Sequence, residues 1–372
     1  MGSVSSVVQL FWQRLAVPWR GGAGYGPGRM SLNRSPADDS PQVAPSGAVL
    51  GLLRAGPGCQ IAQGAVIRTP AGAVELGARS AFLENGIAIG TAEQPVLIGQ
   101  KVVFGHRCVV IGAAVGDLCE IGNGSILLAG ARLGRRCFLG EGTLVPPGAT
   151  LADESVVVGR PGRAIRRANQ ADRARLTRLR GGDLSLPPYL LQPLSGSMPA
   201  GAAMGRVYAY LGKEPRIDQS AVLFDSAEIT GDVAIGAGAI IGAGVKIIGD
   251  SHGPVRIGAG VQILENAVLH LLPDNELVLE EGVVIGPAAM IHGCRIGRGT
   301  VVEPAAIVCD NSVVGEESLV RAGALVKQRA RFPARAVLDG YPATQVGTVD
   351  GPPALPAWAL RRADLATLSR RR

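Results

Sequence analysis

An aliphatic residue returns at every sixth position through most of this chain. In the second half the series runs Ile217, Leu223, Ile229, Ile235, Ile241, Ile247. It resumes at Ile257, Ile263, Leu269, again at Leu279, Ile285, Ile291, and from Ile296 it runs on to Val326. The first half does the same, through Val43, Val49, Ala55, Ile61, Ile67, then Leu76, Phe82, Ala88, then Ile98, Phe104, Val110, and from Val115 to Leu151. The residue after the aliphatic one is often Gly, and the slot before the strand is small. A helix repeats every 3.6 residues and a strand every two, so neither yields a strict six.

A triangular coil does yield it. Each hexad supplies one short strand and one corner, three hexads complete a turn, and the aliphatic side chain points into the prism. Backbone hydrogen bonds then run from coil to coil as parallel ladders. One coil cannot bury its own interior, so stacking makes the core. Composition agrees: hydrophobic residues are 47% of the chain but aromatics only 4%, with 53 Gly, so the interior must be aliphatic with tight turns. The expected fold class is therefore an all-β repeat of two tandem left-handed parallel β-helices, each followed by a C-terminal α-helix.

The two halves align with each other. Leu76 matches Ile257, and the offset of 181 holds without a gap to Pro161 and Pro342. Both halves close with Gly-x-Pro (Gly159 and Pro161; Gly340 and Pro342), and helical segments are expected at about 164–180 and 357–370. AWALRRADLATL in the latter has the amphipathic pattern of a helix lying along a prism. The domains read as 1–42, an extension; 43–181, the first β-helix with its helix; 182–205, a linker rich in Pro, Gly and Ser; and 206–372, the second β-helix with its helix.

The net charge of +7 is concentrated. Eight Arg lie between 160 and 180 against the single acid Asp172, and three end the chain. No aromatics interleave to stack bases, so a solvated helix face fits better than nucleic acid. Cys59, Cys108, Cys119 and Cys137 occupy the small slot of the hexad, and no CxxC occurs, which reads as buried thiols in a reducing compartment. No apolar run is long enough for a membrane span. The expected location is the cytoplasm, or the mitochondrial matrix if residues 1–37, with four Arg and no acid, are a transit peptide.

The second copy resembles a γ-class carbonic anhydrase, through GDSHGPVRIG, ENAVLH, IGPAAMIHGCRIG and DGYPA over about 205–345. The first copy is similar, less strongly, over about 43–162, through AVIRTPAG, LENGIAIG, FGHRCVVIG and GRPG. The resemblance implies zinc, or another divalent metal, held by three His between neighbouring β-helices of a trimer. The first and third His come from one β-helix and the middle one from its neighbour. Three neutral imidazoles with an open fourth position suit zinc as an activator of water.

Carried over residue by residue, the set is split. The second copy has His270 and His292 at the first and third positions, and Pro287 at the middle one. The first copy has His106 at the middle, with Ile89 and Ile111 at the others. The family's interface Arg survives only as Arg68, opposite Ile248 in the other copy, and its Asp only as Asp250, opposite Pro70. This complementary loss suggests that unlike faces of the two copies meet, joining Arg68 to Asp250 and gathering His106, His270 and His292 into one composite site. Leu83 and Leu264 stand where the family places a solvent-orienting Gln, while Glu84 and Glu265 match the neighbouring acid. His252, in GDSHGP, is a candidate proton shuttle, or a solvated loop His.

Three functions follow. One is hydration of CO2 to bicarbonate at the composite zinc site. Another is a non-catalytic trimeric scaffold, and the last a hexapeptide-repeat acyltransferase using a groove between prisms. Expected partners are further copies of the chain through β-helix faces, or a further β-helix subunit, since two fused prisms do not fill a trimer evenly.

Overall fold

The computed structural model describes residues 40–180, 192–193, 197–199, 205–250, 253–366 and 368–371. The extension before residue 40, most of the linker and His252 lie outside the described residues. The compact unit, Asp39–Arg372, holds two triangular, left-handed prisms built from strands of two to six residues.

Each prism has three faces of parallel ladders. Face Ia of the first prism carries Ala81–Phe82 and Val103–Phe104, face Ib carries Val66–Thr69, Ile87–Ile89 and Val109–Ile111, and face Ic carries Val74–Leu76 and Val96–Ile98. In the second prism the corresponding faces are IIa, with Gln262–Ile263 and Val284–Ile285; IIb, with Lys246–Gly249, Val268–His270 and Met290–His292; and IIc, with Val255–Ile257 and Leu277–Leu279. The register joins equivalent positions of successive coils, as in Phe82↔Phe104 and Leu269↔Ile291. The hexad aliphatics form one separate core inside each prism, with Phe82 and Phe104 stacked at 4.3 Å.

The small slot has a polar task as well as a steric one. Cys108 Sγ reaches the carbonyl of Gly122 at 3.2 Å and Cys119 Sγ that of Gly134 at 3.2 Å, as Ser80 Oγ does for Gly99 at 2.7 Å. Each contact satisfies a corner carbonyl that faces the interior. Corners turn through left-handed residues, among them Asn85 and Asn266. Gly64 (φ +67°) sits one coil below Asn85, and a Cβ there would lie 2.4 Å from Asn85 Oδ1, so a side chain would be strained and would displace the Asn85 amide.

Both prisms close with an antiparallel hairpin, Ser155–Gly159 with Gly162–Arg167 and Ala336–Gly340 with Ala343–Thr348. The expected helix follows the first as α1 (Gln170–Arg180). Its start is capped reciprocally by Asn169 and Asp172, and Arg173 pairs with Glu154 at 2.7 Å. After the second prism the helix is a single turn, α2 (Arg362–Leu365). Trp358, Ala359 and Leu360, expected in that helix, are instead buried between the prisms in an irregular segment. The chain then forms the strand Ser369–Arg371, paired antiparallel to Ala48–Gly51 of face Ib and to Ser197–Pro199. Among the described residues no helix is long and apolar enough to cross a membrane.

The prisms lie side by side through unlike faces. Leu50, Val66, Ile87, Ile89, Val109 and Ile111 of face Ib pack against Ile240, Val284 and Val301 of face IIa and against Phe224, Ala243 and Leu264 at the corner between IIa and IIb. Each such large aliphatic contributes about 1.5–3 kcal/mol when fully buried. Gln262 holds the C-terminal segment in this joint through both the N–H and the carbonyl of Leu360, at 2.9 and 2.7 Å.

Candidate functional site

His270 and His292 stand on neighbouring coils of face IIb. Strand alternation turns Leu269 and Ile291 inward and both His outward, and the register places His270 directly opposite His292. The ring centroids are 5.9 Å apart and the ring planes 87° to each other. Both side chains are 29% exposed, so the pair opens to the outside of the molecule. Nδ1 of His292 faces Asp310 Oδ2 at 3.3 Å, and Nε2 of His270 faces Asp250 Oδ2 at 3.3 Å. Asp310 is itself held by the N–H of Leu272 at 3.1 Å and by Asn275. Of the two, the contact of His270 with Asp250 is a hydrogen bond, in which the carboxylate can only accept and Nε2 donates.

His106 occupies the corner between faces Ia and Ib. Its N–H donates to Asn123 Oδ1 at 2.7 Å, its Nδ1 lies 2.7 Å from Glu84 Oε2, and its side chain is 52% exposed. Within one chain it does not join the other two: no group of three His, Cys, Asp or Glu among the described residues is arranged to hold a metal.

The interface pair also differs from expectation. Arg68 does not use its guanidinium on Asp250. Its Nε meets Glu265 Oε1 at 2.8 Å, out of line for a hydrogen bond, and its Nη2 donates to the carbonyl of Trp358. The Arg68 side chain is 4% exposed and that of Glu265 0%. Burial pulls the guanidinium below its ordinary value while the charge of Glu265 opposes that pull. The face bearing Arg68 thus meets the corner of Pro287, not the face of Asp250, whose carboxylate turns to His270. Asn266 Nδ2 donates to the carbonyl of Gly64 across the same joint at 2.9 Å. The residues standing at the three family metal positions here are Ile89, Ile111 and Pro287, all buried.

A second concavity lies between the prisms near their closing hairpins. It encloses about 850 Å³ and is lined by Ile111, Arg160, Glu303, Arg321, Tyr341 and Trp358, among others. None of the three described histidines lines it, so an acyltransferase using this groove would lack a histidine base. Sequence reasoning singled out neither this cavity nor the pairing of Glu265 with Arg68. The signal for the latter was Glu265 itself, an acid at the corner where Pro287 replaces the imidazole.

No family model matches the chain. The carnitine operon protein CaiE of Proteus sp. (strain LE138) is 36% identical over 140 residues, which are 38% of this chain and 71% of that protein. The mitochondrial gamma carbonic anhydrase 1 of Arabidopsis thaliana is 35% identical over 137 residues, 35% of this chain and 50% of that protein. Among solved structures, a hexapeptide transferase family protein from Anaplasma phagocytophilum is 27% identical, with 43% of this chain and 87% of that one covered, at a TM-score of 0.37. Each match spans well under half of a chain that contains the prism twice. With its duplicated prism and its matched motifs, the chain belongs to the γ-class carbonic anhydrase-like family of hexapeptide-repeat, left-handed β-helix proteins.

Proposed function

We propose that this protein hydrates carbon dioxide to bicarbonate at a zinc site shared between molecules, with His270 and His292 from one chain and His106 from another. The observation that carries this reading is the in-register pair His270 and His292, 5.9 Å apart on an outward face. The donor set fits a zinc ion. Asp310 and Glu84 face Nδ1 of His292 and of His106 at 3.3 and 2.7 Å without hydrogen-bond alignment, and Asp250 is hydrogen-bonded to Nε2 of His270, so each imidazole has a carboxylate beside it, as is common around metal-bound imidazole. Bound zinc would supply the Lewis acidity that makes water nucleophilic near neutral pH. The chain's own residues orient the imidazoles and present two of them from a rigid ladder.

Leu83 stands beside Glu84 where the resemblance implies a Gln, so the position that would align solvent is apolar, and turnover is expected to be slow. The six free thiols fit a reducing compartment such as the cytoplasm. The test is zinc content of the purified full-length chain together with stopped-flow CO2 hydration. His106→Ala, His270→Ala and His292→Ala are each expected to abolish hydration, and retained activity in any of them refutes the shared site. A scaffold is the second reading, favoured by the apolar residues Ile89, Ile111 and Pro287 at the joint. A folded protein with neither zinc nor hydration would establish it.

A further inference from the structure

The cavity between the prisms is walled by two kinds of residue. One side is apolar, with Ile111, Leu128, Leu144 and Pro146 from the first prism and Trp358 from the C-terminal segment. The other is charged, with Arg160 from the first closing hairpin and Glu303, Arg321 and Asp339 from the second prism. At about 850 Å³ the space has the size of a small-molecule site. None of the three described histidines borders it, so it is separate from the metal reading above.

The charges of the second prism form a ladder. Val302, Val320 and Leu338 are in register on face IIa, and the residue after each is Glu303, Arg321 and Asp339 in turn. Acid, base and acid therefore follow one another at the strand spacing of about 4.8 Å. A coil does not need these charges to close. The equivalent positions of the first prism, 181 residues earlier, are Gly122, Gly140 and Val158.

The ladder is also incomplete as a set of ion pairs. Arg321 Nη1 stands 3.8 Å from Glu303 Oε1, too long for a hydrogen bond. Glu303 Oε2 accepts from the N–H of Ala322 at 2.9 Å, which leaves Oε1 without a hydrogen bond from the described residues. The Glu303 side chain is 23% exposed, and burial raises its carboxyl above the ordinary value. A partly desolvated carboxylate with an unfilled acceptor favours a cationic donor. Arg160 reaches the same place from the other prism. It donates to the carbonyl of Gly323 at 3.2 Å, two residues from Arg321, and its guanidinium lies over the Tyr341 ring. A guanidinium has five N–H donors, so both arginines keep donors for an anion. Two cations and two anions border the cavity, and a ligand of one sign would leave half of them unmatched.

We infer that this cavity binds a small zwitterion with an apolar side chain, of the α-amino acid type, with its ammonium on Glu303, its carboxylate on Arg160 and Arg321, and its side chain against Ile111, Leu128 and Trp358. The adjacent charges of an α-amino acid match the adjacent steps of Glu303 and Arg321 on the ladder.

The test is titration calorimetry of the full-length, zinc-stripped chain with three probes of like shape: phenylalanine, phenylpropionate, which lacks the ammonium, and phenethylamine, which lacks the carboxylate. Phenylalanine is expected to bind saturably, and each analogue about tenfold more weakly or worse, the value of one charge-assisted hydrogen bond. Glu303→Gln should weaken phenylalanine to the level of phenylpropionate and leave phenylpropionate unchanged. Arg321→Met should weaken phenylalanine and phenylpropionate without weakening phenethylamine. Both substitutions are at the charged side of the cavity, and unchanged circular dichroism checks that each variant folds. Phenylalanine should also alter the tryptophan fluorescence of the wild type but not of Trp358→Phe. Absence of saturable phenylalanine binding at millimolar concentration, an analogue that binds as tightly as phenylalanine, or a Glu303→Gln chain that binds phenylalanine like wild type would overturn the inference.

Discussion

Replacing Arg68 by Met tests the joint directly. The Arg68 and Glu265 side chains are 4% and 0% exposed and approach to 2.8 Å. At that separation two unit charges attract by roughly 6 kcal/mol for an effective dielectric of about 20, a gross figure that desolvation offsets. The measurable quantity is the loss when one partner goes and the other stays buried, about 3–5 kcal/mol. Met fills most of the space of the Arg stem, so little of the loss is cavity. For a unit of this size each kcal/mol moves the melting midpoint by about 2 °C, so Arg68→Met should melt roughly 6–10 °C lower. The double variant Arg68→Met, Glu265→Gln removes both charges and should recover at least about 2 kcal/mol, the signature of direct coupling. Trp358, whose carbonyl accepts from Arg68 and whose side chain is buried in the joint, gives a fluorescence probe of the contact in urea titrations. A single variant that costs less than about 1 kcal/mol, or a double variant that simply adds the two losses, would refute the joint as described.

Glu303 lines the inter-prism cavity, and burial raises its carboxyl above the ordinary value, against the N–H of Ala322 and the charge of Arg321. The folded state then binds the proton more tightly than the unfolded one, so its destabilising contribution is full above the folded pKa and fades as pH falls through that value towards the ordinary 4.5. Glu303→Gln, which keeps an acceptor for Ala322, should raise the melting temperature relative to wild type at pH 8, and the gain should shrink towards pH 4.5; a gain independent of pH would contradict this. Burial holds Cys108 up at about 12 and also raises Cys294 and, together with the charge of Asp310, Cys309, but of these three only Cys309 is half-exposed. Titration with a chromogenic disulfide should show one fast thiol, lost in Cys309→Ser, with slow reaction elsewhere until unfolding. Leu83→Gln places an amide beside Glu84 and should increase CO2 hydration by about 10- to 100-fold if solvent orientation limits turnover; an unchanged rate would mean that this position does not border the reacting centre.

The prisms were legible because their determinant is periodic. Each inward aliphatic must recur at six for any coil to close, and inward positions such as Phe82, Ile263 and Leu269 are indeed fully buried. The joint was not legible, because an outward Ile87 or Val109 in a buried contact has the same pattern as a half-exposed Val268. Only the tertiary arrangement tells them apart. The resemblance directed Arg68 towards Asp250, but an arginine follows the acid that its face meets, and that acid is Glu265. The second C-terminal helix was read from an amphipathic pattern that the same residues satisfy in another way, with Trp358 and Leu360 buried in an irregular segment between the prisms.

Covalent fusion supplies a physical reason for the opposite character of the joint and the proposed shared site. In the joint the prisms are tethered, and covalent connection raises the effective concentration to about the millimolar range. Contact there needs no metal, and three imidazoles enclosed without an ion would carry unmet polar groups costing about 1–3 kcal/mol each. Ile89, Ile111 and Pro287 remove that cost, and the Arg68–Glu265 pair neutralises the acid that remains. Between separate chains at micromolar concentration the same contact is about 4 kcal/mol less favourable, the difference between micromolar and millimolar. A zinc ion held by three imidazoles supplies more than this. On the proposed shared site, imidazoles would then stand where association occurs from dilute solution, while aliphatic residues stand where the covalent connection already brings the prisms together. If that reasoning holds, raising the chain to near-millimolar concentration should promote association of the zinc-free protein through the surfaces that bear these imidazoles, with Met290→Glu opposing it.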